Sequence, residues 1–161
     1  MNPNFMENNE LLSKKAYTKM AQLCSRSEQC SPDIRKKIIA FGLENEAAED
    51  VIGLLIEENF INDQRFAKAY VSDKFKINSW GKIKMRYYLK MKGLPENIIE
   101  DGLAVIDDEK YKNVLVKTMK DKSKTIKKKD KFEKMGQVIR YAQSRGFEPE
   151  LIHRYLKLVL E

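Results

Sequence analysis

Residues 80–99 read WGKIKMRYYLKMKGLPENII. Met85 and Leu89 stand eight and four places before Gly93, and Leu94 follows it directly. Positions four apart lie on one face of an α-helix. A glycine can take the left-handed conformation that closes a helix, and the apolar residue after it packs back on the last turn. Ile98 and Ile99 resume the apolar pattern, and Pro95 suits the first turn of a new helix, where a missing N–H costs little. The stretch predicts a helix, a tight glycine stop and a second helix.

The same arrangement recurs on both sides. Around Gly42 it is built from Ile34, Ile38, Leu43 and the pair Ala47–Ala48; around Gly146 from Val138, Ala142, Phe147 and the pair Leu151–Ile152. The three glycines are 51 and 53 residues apart. Ser31-Pro32 supplies an N-cap and a first-turn proline to the first copy, and Pro149 opens the last helix of the third. A helix is expected before each copy, at 14–27, 63–77 and 109–123. The fold expected is all-α, an elongated tandem array of three three-helix repeats over 14–61, 62–108 and 109–161, after a disordered polar tail at 1–13. A period of about 50 residues is typical of repeat arrays.

Composition agrees. Seven glycines and four prolines in 161 residues leave little material for many turns and strands. No stretch approaches the ~20 apolar residues of a membrane span, and the polar start lacks a signal peptide's basic and apolar regions. Cys24 and Cys30 are six apart, which is no metal-ligand spacing, and read as reduced thiols of a cytosolic protein.

The net charge of +7 is banded. Residues 31–73 hold 5 basic and 9 acidic side chains, 74–92 hold 7 basic and no acidic ones, 93–116 hold 2 and 6, and 117–134 hold 9 and 3. Such banding suits a charged partner, either a nucleic acid or a protein polymer wrapped on one.

Catalytic chemistry finds no foothold. His153 is the only histidine, and no nucleophile–base pair, phosphate loop or Cys/His cluster accompanies it. Asn62-Asp63 and Asp107-Asp108-Glu109 stand just before predicted helices, where capping and the helix dipole favour them. No enzyme activity, cofactor or metal is expected.

Two segments remain as binding candidates. On helix 82–92, Met85, Tyr88 and Leu89 form the expected inner stripe, while Ile83, Arg86, Tyr87 and Lys90 fall outside it beside Lys82. That outer face either packs on a neighbouring unit and solvent or binds a partner. The run KTMKDKSKTIKKKDKFEK at 117–134, with Lys127, Lys128 and Lys129 at its centre, is either a solvated stretch or a phosphate contact. Basic three-helix units could also read DNA as a helix-turn-helix does, although lysine suits backbone contact better than base reading.

The stretch ENFINDQRFAKAYV at 58–71 looks at first like a polar site. With Asn62 as N-cap, Ile61 and Phe66 have the spacing of a hydrophobic staple. The helix that follows is apolar on two sides: Phe66, Ala69, Tyr70 and Ile77 on one, Ala67, Val71 and Phe75 on the other. It is expected to dock the second unit on the first.

The block FINDQRFA at 60–67, the Ser79-Trp80-Gly81 turn and KGLPENII at 92–99 resemble the RecX family of bacterial RecA regulators. The resemblance spans about residues 30–108 and thins on either side. Departures are Asn62 for the usual first Asp, a longer Lys-rich insertion, and Tyr87 and Tyr88 where charged or small residues are common. The resemblance implies a cytoplasmic, non-catalytic monomer that binds the RecA filament on single-stranded DNA. It would restrain filament growth, ATP hydrolysis, strand exchange and co-protease activity, with weak direct DNA binding possible in the family.

Overall fold

The computed structural model describes residues 3–127 and 130–160. Among them are nine α-helices and no strand: α1 Pro3–Arg26, α2 Ser31–Phe41, α3 Asn45–Glu57, α4 Asp63–Asn78, α5 Lys82–Met91, α6 Glu96–Leu103, α7 Asp108–Thr125, α8 Lys131–Ser144 and α9 Pro149–Tyr155, which runs into a 3-10 turn at Leu156–Leu158. Helices α1–α3, α4–α6 and α7–α9 pack as successive trios.

The glycine-centred pattern explains each trio. Gly42, Gly93 and Gly146 all have positive φ, at 121°, 95° and 96°. The residues four and eight places earlier, and the one directly after, are buried in all three copies. So are the second members of the apolar pairs, Ala48, Ile99 and Ile152. Pro95 occupies the N-cap of α6 instead of its first turn, one residue earlier than expected.

One expectation changes at α1. Helix extends back to Pro3 through the segment expected to be a tail. Leu12, Ala16 and Met20, four residues apart, carry the buried stripe one turn upstream of residue 14, and Leu12 packs on the first core near Gly42, whereas residues 7–11 are exposed.

The core falls into two parts. Apolar residues of α1–α3, together with Ile61, form one cluster. A second, continuous cluster runs through both α4–α6 and α7–α9, including Phe75, Tyr111 and Phe147, with Cys30 contributed by the α1–α2 connection. Ile61 therefore buries in the first cluster and Phe66 in the second, so their staple spacing is not used as a staple. Helix α4 also has a wet side, contrary to expectation: Ile77 is 77% exposed. Its buried face is Phe66, Ala67, Val71 and Phe75 alone.

The two junctions between trios differ in chemistry. At the first, the Asp63 carboxylate accepts from the Ser31 backbone N–H (2.7 Å) and hydroxyl (2.5 Å) at the start of α2. Arg65 donates to Glu28 (2.6 Å), and Lys92 to Asp33 (2.7 Å). Asn62 is the N-cap, its side chain accepting from the Arg65 N–H. The polar knot at 62–65 is thus a clamp between units.

At the second junction backbones meet directly. Gly81 N–H donates to the Arg145 carbonyl (2.8 Å) and Ile83 N–H to the Gly146 carbonyl (3.0 Å). The Tyr111 hydroxyl accepts from the Lys82 N–H (2.9 Å) and donates to Glu148. Burial foremost, then the bond to Glu148, pushes the Tyr111 hydroxyl far above its ordinary value, so it stays a donor.

Candidate partner-binding face

Helix α5 is where buried and exposed apolar residues diverge. Its entry is fixed by Ser79, which ends α4 in the left-handed region (φ 54°), and by the Trp80 N–H, which bonds back to the Lys74 carbonyl (3.2 Å). Gly81 then caps α5 against the α8–α9 turn. Met85 and Leu89 are fully buried and anchor the helix.

The opposite side carries Ile83, Tyr87 and Met91, at 44%, 57% and 65% exposure. Their four-residue spacing puts three large apolar side chains in one stripe. Tyr88, expected inside, is 41% exposed instead. It stacks on Trp80 with ring centroids 5.2 Å apart, and Tyr87 meets it edge-on at 5.3 Å. Packing on Trp80 gave this ring a place at the surface that helical periodicity alone had put in the core. Lys74 and Lys84 lie 4.9 and 4.6 Å from the Trp80 ring centre, cations on an aromatic face.

The candidate cations of α5 have other occupations. Arg86 grips Glu100 of α6 with two bonds, 2.7 and 3.3 Å, and this hydrogen bonding holds the Glu100 carboxyl below its ordinary value. Lys90 stands 3.9 Å from Glu96. Lys82 turns toward the second junction, its ammonium 5.0 Å from the Tyr111 ring centre. So of the residues singled out by sequence, Ile83 and Tyr87 come together on the open stripe. Trp80, Tyr88 and Met91 belong beside them and were missed, although Met91 is two helical steps of four beyond Ile83.

In the Lys-rich run, Lys117 pairs with Asp121 (2.7 Å) and Lys122 lies 4.9 Å from the Tyr141 ring centre. Lys127 is exposed; Lys128 and Lys129 lie outside the described residues. The Asp107 and Asp130 side chains cap α7 and α8. Among the described residues no group of three or more His, Cys, Asp or Glu could hold a metal ion, and no helix is long and apolar enough to cross a membrane.

Residues 62–103, which comprise α4–α6 and so include this face, match the family model described as RecX, second three-helix domain. A protein of Clostridium tetani named regulatory protein RecX is 31% identical over 137 residues, covering 84% of this chain and 62% of that protein. The chain belongs to the RecX family. A Clostridium perfringens RecX is also 31% identical, over 118 residues, covering 72% of this chain and 55% of that protein. The chain thus spans about three fifths of the length of these curated relatives. The crystal structure of RecX from Lactobacillus salivarius superposes with a TM-score of 0.84 at 19% identity, covering 92% of this chain and 96% of that one. That likeness shows a shared all-α fold.

Proposed function

We propose that this RecX chain regulates RecA by binding alone, engaging the RecA filament on single-stranded DNA through the open face of α5. The observation that carries the reading is the stripe Ile83–Tyr87–Met91 beside the Trp80–Tyr88 stack. A helix already anchored by Met85 and Leu89 has no folding need for a second apolar face. Aromatic and Met side chains are enriched in the cores of protein interfaces. The names of the relatives, regulatory protein RecX, supply the regulatory direction. On this reading the protein acts as a cytoplasmic monomer and restrains filament growth, ATP hydrolysis, strand exchange and co-protease activity.

A helix-turn-helix reading has less support. Base edges are read best by a free Arg, Asn or Gln, and α5 has one Arg, tied to Glu100, and no Asn or Gln. That pairing also makes reversal of Arg86 and Lys90 a poor test, since it would set like charges against α6.

The test is titration of the protein into RecA on single-stranded DNA with ATP, reading ATPase rate and filament length. Wild-type protein should suppress both near stoichiometric amounts. Tyr87→Asp should raise the concentration needed by about 30-fold, the effect of losing a hot-spot aromatic. Tyr87 is exposed, so helicity should hold. No suppression by wild-type protein, or equal suppression by the folded variant, would refute the proposal.

A further inference from the structure

A second surface, on the first unit, has a different chemistry. Helices α1 and α2 enclose an open groove of about 590 Å³. Three cations stand around it, Lys19 and Arg26 from α1 and Lys37 from α2, and no Asp or Glu lines it. Among the described residues none of the three takes part in an ion pair. This contrasts with Arg35, Arg65, Arg86 and Lys92, each of which has a carboxylate partner. The floor is apolar, built from Met20, Leu23, Ala40 and Phe41.

We infer that this groove receives an acidic peptide segment, with carboxylates meeting the three rim cations and an apolar side chain seated on the floor. Cations gathered around one groove without carboxylate partners repel one another, and a polyanion relieves that repulsion. The same charge would attract a nucleic acid, but the floor argues for peptide. Three of its four side chains are aliphatic, and its one ring, Phe41, has the Lys19 ammonium 5.4 Å from its centre. A floor with a single ring, already faced by a lysine, offers a base little to stack on, whereas an amphipathic segment laid in a groove uses such a floor directly. Lys19, Arg26 and Lys37 escape sequence reading because they are seven and eleven residues apart on two helices. Only the helix pairing collects them.

The experiment uses the full chain and two fluorescein-labelled probes read by anisotropy. One is a peptide of about 12 residues, about three helical turns, combining Glu and Asp with Leu and Ile. The other is an oligothymidylate of comparable length. Wild-type protein should bind the peptide, and Lys19→Glu/Lys37→Glu should weaken that binding by about tenfold or more. Ala40→Trp, at an exposed position of α2, should weaken it similarly by filling the floor without changing charge. This second variant decides the matter if the double reversal does not fold by circular dichroism. The inference is overturned if wild-type protein does not bind the peptide, or if Ala40→Trp binds it as tightly as wild type. It is equally overturned if the oligothymidylate, and not the peptide, loses affinity in the variants.

Discussion

Replacing Gly81 with Ala isolates the contact that joins the second and third units. Gly81 has φ −80° and ψ 167°, an extended conformation that Ala adopts freely. Backbone entropy alone would therefore favour the substitution by about 0.4–1 kcal/mol. Against this, a Cβ at residue 81 would overlap the Gly146 carbonyl group and the Phe147 nitrogen. These are backbone atoms and cannot swing aside as a side-chain tip can. Relief requires the α8–α9 turn to withdraw from α5, which stretches the bonds from Gly81 to Arg145 and from Ile83 to Gly146. Overpacking of this kind costs about 1–3 kcal/mol, and each bond lost adds about 1 kcal/mol. The expected net destabilisation is about 2–5 kcal/mol. Urea denaturation followed by circular dichroism measures it as a fall in midpoint at constant slope. A loss below about 1 kcal/mol would mean that the two units are not in backbone contact, and would refute the packing described.

Three further outcomes follow from the same geometry. Gly53→Ala, at an exposed position within α3 where a Cβ meets nothing within 4 Å, should stabilise by about 0.5–1 kcal/mol in the same assay, and a loss would contradict that open environment. Asp63→Ala removes both bonds to Ser31 and should cost about 1–2 kcal/mol. In a Cys24→Ser background it should also speed labelling of Cys30, which is fully buried and whose thiol burial pushes up to about 11; an unchanged rate would dismiss the clamp. The third concerns acid. Burial works to raise the Asp33 carboxyl, but hydrogen bonds from Lys92 and Cys30 and the charges of Lys92 and Lys36 outweigh it and leave it below its ordinary value. A carboxyl lowered by folding contributes stability above its unfolded value, and that contribution is lost as pH falls through the folded one. The stability difference between wild type and Lys92→Met should therefore narrow as pH falls below the ordinary aspartate value of about 3.9, and a constant difference would refute the pairing.

The repeat was legible because it rests on local rules. A glycine stop, apolar residues four and eight places before it and an apolar residue after it describe one helix end, and all three copies obey them. What periodicity missed was decided between elements. Tyr88 reads as buried from its spacing to Met85, but Trp80, eight residues earlier, holds it at the surface. Arg86 reads as a free cation, but Glu100 lies across on α6, fourteen residues away. The face of α5 was visible as Ile83 and Tyr87, whereas its full extent depended on where Trp80 is turned by Ser79. The basic groove of the first unit left no sequence trace, because its charge is assembled across two helices.

The unequal junctions bear on how such an array could act. Between the second and third units an apolar core runs through, two backbone bonds cross, and any side chain at residues 81 or 146 is excluded by contact. These units should hold their relative placement under any condition that leaves them folded. The first unit has its own core and meets the second largely through Asp63–Ser31, Arg65–Glu28 and Lys92–Asp33, with Cys30 as the buried apolar contribution. The two ion pairs are partly exposed, each worth about 1 kcal/mol or less, and weaken with salt, while the Asp63–Ser31 bonds add about 1–2 kcal/mol. The first junction therefore rests more on polar contacts and less on shared apolar core than the second. The α5 face lies on one side of this junction and the basic groove on the other. A partner engaging both surfaces would span a junction whose ion pairs weaken with salt, so its grip would depend on ionic strength there as well as at the direct contacts.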